Sequence, residues 1–238
     1  MSLKKTVSII ALAVAGITVA PLVFAGSMEG GKDKMEGMEN MKGMEGMGGM
    51  KDMSGMHHKV MPDTTRRIVD YSIPDVTLVR EDGKSVSLPK ELNDGRPVVL
   101  TFIFTTCKMV CPVVSHTLSQ LQDKLGPDRD KIRIASISID PEQDTPQVLA
   151  AYAKKYDAGP EWHHYTGTVE ASITAQRAFD DYRGDKMNHN PVTFLRSAPG
   201  KPWVRLEGFA TAKDLLKEVR PMIASNSAHP NISLASHQ

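Results

Sequence analysis

The apolar run Pro97-Val-Val-Leu-Thr-Phe-Ile-Phe104 sets the frame for the whole chain. It is β-rich and lacks polar alternation, which predicts a strand buried on both faces. Lys131 to Ile139 predicts a second such strand, ending at Asp140-Pro141. Between them a helical pattern runs from Pro112 to about Leu125, and proline suits a first turn that needs no backbone donor. Thr145-Pro146 opens another helix through Tyr156, as a capping residue followed by proline. Upstream, Ile73 to Val79 and Ser85 to Leu88 flank Glu81-Asp82-Gly83 and predict a hairpin. Downstream come a short strand at Trp162 to Tyr165 and a helix at Val169 to Phe179. Strands at Val192 to Arg196 and Trp203 to Glu207 enclose Ala198-Pro199-Gly200, and a last helix covers Thr211 to Met222.

Strands alternate with helices first, and a hairpin plus helix closes the domain. That order predicts an α/β, thioredoxin-like fold with a central mixed sheet flanked by helices. The expected division is residues 1–25 as an export signal, 26–61 as a Met/Gly-rich tract, 62–225 as the folded domain and 226–238 as a tail. Hydrophobic residues make up 40% of the chain and charged residues 24%, as in a soluble globular protein rather than a membrane bundle. The formal charge of +1 gives no electrostatic case for nucleic acid.

The first residues have the form of a signal: basic Lys4 and Lys5, apolar Val7 to Ala20, and Val23-Phe24-Ala25 before Gly26. An uncleaved membrane anchor is the rival, although Ser8, Gly16, Thr18 and Pro21 shorten the apolar stretch below the roughly 20 residues of a comfortable span. Either way the remainder is expected outside the cytoplasm, periplasmic in a bacterium, where disulfides persist.

Composition changes at Met28. From there to Met61 lie ten of the fourteen methionines, and from Met35 to Met56 one falls at every third position. That period is not a helix stripe, and the tract has no aromatic or β-branched residue before Val60, so it cannot bury a core by itself. Thioether sulfur is soft and uncharged, which selects Cu(I). Met35, Met38, Met41, Met44, Met47, Met50, Met53 and Met56, with His57 and His58, are therefore candidate copper ligands. The alternative is a spacer or a surface for apolar contacts.

The only cysteines form Cys107-Lys-Met-Val-Cys111, where a buried strand hands over to a helix. A helix N-terminus offers free amide donors and a partial positive charge, which favour a thiolate. A thiol so placed serves disulfide exchange and soft-metal binding alike. A purely structural disulfide is the competing assignment, and three intervening residues close too small a loop for it to add much stability.

Thr101-Phe-Ile-Phe-Thr-Thr-Cys107-Lys-Met-Val-Cys111-Pro112 resembles the signature of the SCO/SenC copper chaperones, and Ser136-Ile-Ser-Ile-Asp140-Pro-Glu-Gln-Asp-Thr145-Pro resembles their second strand and loop. The similarity covers about Ser72 to Met222. It implies a thioredoxin-like protein that binds copper through two cysteines and one downstream histidine and serves assembly of the binuclear copper centre of cytochrome oxidase. By position the histidine is His189, in Asn188-His189-Asn190-Pro191. The chain departs from the family at Lys108 and Met109, where Pro and Asp are common, and it lacks an acidic residue before His189. Pro191 is a candidate for the cis-proline that thioredoxin-like folds set opposite their cysteines. His116, His163, His164, His229 and His237 are not expected in the site.

Two function classes follow. One is a copper metallochaperone, with a copper-receiving oxidase subunit or another periplasmic copper or thiol protein as partner. The other is a thiol-disulfide oxidoreductase in which Cys107 attacks and Cys111 resolves. A copper-buffering protein for metal resistance shares the first reading's chemistry and differs in its recipient. A peroxidase would need a positively charged pocket that the sequence does not display.

Overall fold

The protein is described by a computed structural model covering residues 64–228. The export-signal, methionine-tract and end-of-tail expectations lie outside these described residues. Eight strands form one mixed sheet: β1 (Thr65–Val69), β2 (Thr77–Arg80), β3 (Ser85–Ser87), β4 (Val98–Ile103), β5 (Arg133–Ser138), β6 (Trp162–Thr166), β7 (Val192–Arg196) and β8 (Trp203–Glu207). Their spatial order is β1-β8-β7-β4-β5-β6-β2-β3. Strands β4, β5 and β6 run parallel, and every other pairing is antiparallel. The helices are α1 (Leu88–Leu92), α2 (Val110–Leu125), α3 (Pro146–Lys155), α4 (Val169–Ala178) and α5 (Ala212–Ala228).

All six residues of β4 are buried, because the strand has neighbours on both edges and helices on both faces. Its side chains alternate between two apolar clusters, as a period of two requires. Val98, Leu100 and Phe102 face Leu88 and Leu92 of α1, Ala171 and Ala175 of α4, and Phe179 just beyond. Val99 faces the opposite cluster, where α2 supplies Val114, Leu118, Leu121 and Leu125 and α5 supplies Leu215, Val219 and Ile223. Burying each of the Val, Leu, Ile and Phe side chains is worth about 1.5–3 kcal/mol before chain entropy is charged against it. Ile103, at the end of β4, instead joins Phe104, Cys111, Leu149 and Tyr152 in a third cluster that underlies the cysteine loop.

The two closing strands and the capped start of α3 stand where the pattern predicts, and the hairpin is present, although its first strand begins at Thr77 rather than Ile73. Thr145 accepts the Val148 amide at 3.3 Å, with Pro146 in the first turn. Three differences stand out. β1 was not expected: four of its five residues are exposed, and it exists by pairing with β8. The residues read as the end of the hairpin continue into α1, whose first turn holds Pro89. Helix α5 runs through Pro221 to Ala228, past the expected end at Met222. No helix among the described residues is long and apolar enough to cross a membrane.

Candidate metal centre

Strand β4 delivers the chain into Phe104-Thr105-Thr106-Cys107, and the Cys107 amide turns back to the Phe104 carbonyl at 3.2 Å. This loop is tied down by Asp144, which is fully buried. Its carboxylate accepts the Thr105 hydroxyl at 2.5 Å, the Thr105 amide at 3.2 Å and the Ser138 hydroxyl at 2.6 Å. A buried carboxylate with three donors is satisfied rather than strained, and it fixes the residues just before Cys107. Asp144 lies in the quoted Ser136–Pro146 stretch, but its role could not be read there because its partners are long-range.

Both cysteines are free thiols, with Cys107 half-buried and Cys111 only 1% exposed. The Cys111 amide donates to the Cys107 sulfur at 3.4 Å, and the Phe104 amide donates to the Cys111 sulfur at 3.4 Å. The two thiols are polarised in opposite directions. Partial burial opposes ionisation of Cys107, but the amides of Cys111, Met109 and Val110 with the Cys111 thiol outweigh it and hold its pKa below the ordinary thiol value. Burial dominates at Cys111 and pushes its pKa far up, with the neighbouring Cys107 and Asp144 charges adding to the effect. The helix N-terminus thus favours a thiolate at the first cysteine only.

His189 follows a single 3-10 turn, Lys186–Asn188. Its ring lies edge-on to Phe104 at 6.3 Å between centroids and makes a hydrogen bond to the Phe102 backbone. Burial, and after it the Arg183 charge, lower its pKa to about 4 against that hydrogen bond, so the imidazole is neutral at ordinary pH. The turn is clasped to the β5–α3 loop by Lys186, whose ammonium reaches Asp140 at 2.6 Å.

Cys107 and His189 line one cavity of about 380 Å³ together with Phe104, Met109 and Met187. Cys111 lies beneath it among Phe104, Leu149 and Tyr152. Among the described residues no three His, Cys, Asp or Glu side chains are already drawn into a metal cluster. The donor set nonetheless suits copper: two thiol sulfurs and a neutral imidazole held by a backbone hydrogen bond, the arrangement that orients a ligating histidine. His189 also borders a second, larger cavity of about 560 Å³, lined by Asp140, Gln176, Asp181 and Arg183.

The remaining described histidines have other partners and do not line this cavity. His116 pairs with Gln120 at 3.0 Å and His163 with Glu81 at 2.7 Å, while His164 is fully buried. No peptide bond among the described residues is cis, so Pro191 is trans, against the expectation of a cis-proline. The strand β7 that follows is reached without it.

The family model described as SCO1/SenC matches residues 70–224. The chain belongs to the SCO1/SenC family. It is 35% identical over 106 residues to the SCO1 protein homolog of Bacillus subtilis, covering 44% of this chain and 54% of that protein. Its matches to the first curated relatives span between 43% and 66% of their length. Among solved structures, Arabidopsis thaliana ScoI with copper bound is 28% identical, with a TM-score of 0.54 over 63% of this chain and 96% of that one. BsSco, described by a disulfide switch and as a member of the Sco family of cytochrome c oxidase assembly proteins, is also 28% identical, with a TM-score of 0.56 over 67% and 98%. The fold is therefore the thioredoxin-like one of the SCO1/SenC proteins, as the order of elements predicted.

Proposed function

We propose that this protein is an extracytoplasmic copper metallochaperone that holds its cargo on Cys107, Cys111 and His189. The supporting observation is the single cavity that Cys107 and His189 share above Cys111, with both thiols free and the imidazole neutral. Cu(I) binds mainly to the two sulfurs, and His189 strengthens the Cu(II) form, for which imidazole is the better donor. Binding displaces the proton that burial holds on Cys111. Residues 1–25 export the chain to the periplasm, leaving it soluble after cleavage or anchored without it. Met35 to Met56, with His57 and His58, gather copper for the folded domain, since a tether raises the effective concentration of a bound ion. The recipient is the copper centre of cytochrome c oxidase, a role that fits the family and the Sco relatives described above.

A second reading, thiol-disulfide exchange, draws on the division between the cysteines. An accessible thiol with lowered pKa beside a buried one with raised pKa is the pattern of an attacking and a resolving cysteine. Oxidation to the disulfide would remove both sulfur donors, so the two activities exclude each other at any instant.

Anaerobic titration of the reduced full chain with Cu(I) and Cu(II), followed by absorption, tests the proposal. The expected result is a strong sulfur-to-Cu(II) charge-transfer band that disappears in His189→Ala while Cu(I) binding persists. A chain lacking residues 28–58 should load more slowly at limiting copper. Absence of competitive copper affinity in a reduced protein that catalyses disulfide exchange would leave the second reading standing.

A further inference from the structure

Among the large hydrophobic side chains of the described residues, Met109 at 79% and Met187 at 73% are the most exposed. Neither belongs to an apolar cluster, whereas Met222, the third methionine in this region, packs against the α2–α5 core. The two come from distant parts of the chain, Met109 at the N-cap of α2 and Met187 in the 3-10 turn before His189. The fold nevertheless brings both to the cavity walled by Cys107 and His189. Folding stability gives no reason to hold two large apolar side chains in water at one site.

Their backbones are held in place. The Met187 amide donates to Asp185 at 2.8 Å, and Lys186 next to it is paired with Asp140. The Met109 amide is one of the donors to the Cys107 sulfur. From these fixed points each thioether can sweep the mouth through three rotatable side-chain bonds. Sulfur, rather than mere apolarity, is what the two positions have in common, and it stands beside a thiol and an imidazole.

We propose that Met109 and Met187 form a two-thioether entry site for Cu(I) at the mouth of the cysteine cavity. This inference rests on the reading of the cavity as a copper site and adds the route into it. A thioether has no proton to lose and carries no charge, so it takes Cu(I) in preference to Cu(II) or Zn(II) and holds it weakly enough to pass on. Transfer inward is ligand exchange with no change in oxidation state. Copper–thioether bonds break, copper–thiolate bonds to Cys107 and then Cys111 form, and the proton of each thiol leaves to solvent as its bond to copper forms.

The test uses the full chain carrying methionine labelled with carbon-13 in its methyl groups. Signals of residues 109 and 187 are assigned by Met109→Leu and Met187→Leu, which preserve apolar volume. In Cys107→Ser/Cys111→Ser protein, anaerobic Cu(I) should shift both methyl signals in one step, and either leucine variant should abolish the shift of the remaining methionine. An unmoved Met222 signal reports that the fold is retained. With the cysteines intact, Met109→Leu/Met187→Leu should slow the rise of thiolate-to-Cu(I) absorption by about tenfold and leave final affinity within about twofold. Unmoved or independently moving methyls, or an unchanged loading rate, would overturn the entry site. Unchanged loading with slower release to an acceptor would also overturn it and mark the rim as a docking surface for a partner protein. A wild-type chain whose thiols take no Cu(I) would instead sink the copper reading itself, whatever the methyls do.

Discussion

His164 gives a quantitative test of the packing behind the cysteines. Its ring is fully buried in β6, stacked on Trp162 at 5.1 Å and edge-on to Tyr152 at 5.9 Å. Neither ring nitrogen has a hydrogen-bond partner among the described residues. Burial is the main cause that lowers its pKa from 6.5 to about 4, against the attraction of Glu81. A group whose folded pKa is depressed contributes stability that is present above its unfolded pKa and lost as pH falls through the folded value. Between pH 6.5 and pH 4 the loss amounts to roughly 3 kcal/mol, a large share of an ordinary domain's stability. His164→Phe keeps an aromatic ring and removes the titration. Two further effects of the substitution oppose each other: relief of unpartnered nitrogens and crowding by a larger ring, each about 1–3 kcal/mol. The change of ΔΔG with pH is therefore the informative quantity. Urea unfolding of the reduced, copper-free full chain, followed by the fluorescence of Trp162 and Trp203, supplies it. The variant should gain roughly 3 kcal/mol on wild type between about pH 8 and about pH 4. A difference that stays constant over that range would refute the reasoning, because His164 would then titrate alike in folded and unfolded chains.

Two other outcomes follow from the same kind of argument. Asp181 is buried against Arg205, and burial outweighs the nearby Arg205 and Arg183 charges to raise its pKa from 3.8 to about 7. Its contribution is complete below pH 3.8 and lost as pH rises through 7, so Asp181→Asn should gain up to roughly 4 kcal/mol on wild type across that window in the same unfolding series. In the reduced, copper-free native protein, iodoacetamide should alkylate Cys107 alone, with a rate midpoint below that of an ordinary thiol. Mass spectrometry of Cys107→Ser should then find no label until the chain is unfolded, and early labelling of Cys111 would contradict its burial.

Legibility in the sequence followed locality. β4 declares itself because five of its six residues are large and apolar and the sixth, Thr101, is β-branched, and the start of α3 because Thr145-Pro146 carries its own cap and first turn. β1 could not be read, since Thr65-Arg-Arg-Ile-Val69 is almost wholly exposed and owes its conformation to β8, more than a hundred residues away. The strand-to-helix junction of the cysteines was legible for the same reason as β4. The order of the two, with Cys107 as the more reactive thiol, was readable from its place ahead of the helix; the deep burial of Cys111 with Leu149 and Tyr152 was not, because those partners come from α3. His189 was reached by resemblance alone; nothing local distinguishes it from His163 or His164, whose settings come from Glu81, Trp162 and Tyr152. The Asp144–Thr105 and Lys186–Asp140 contacts join loops that the chain order keeps apart.

The competing functions make opposite demands on His189, and that bears on the choice between them. A disulfide-exchange site profits from a cationic imidazole, which would stabilise the attacking Cys107 thiolate. Here burial holds the ring neutral, with a pKa of about 4, and the amides at the start of α2 act on Cys107 in its place. An oxidoreductase therefore gains little from this histidine at neutral pH. A metal site needs the neutral form, with one nitrogen held by a second-shell hydrogen bond so that the other can bind. The burial that makes His189 a poor thiolate partner also keeps it in the neutral form that the proposed copper site requires, with a hydrogen bond to the Phe102 backbone beside it. The family's copper chemistry and the local electrostatics thus favour the same reading by independent arguments, one from resemblance and one from the cost of charging a buried ring.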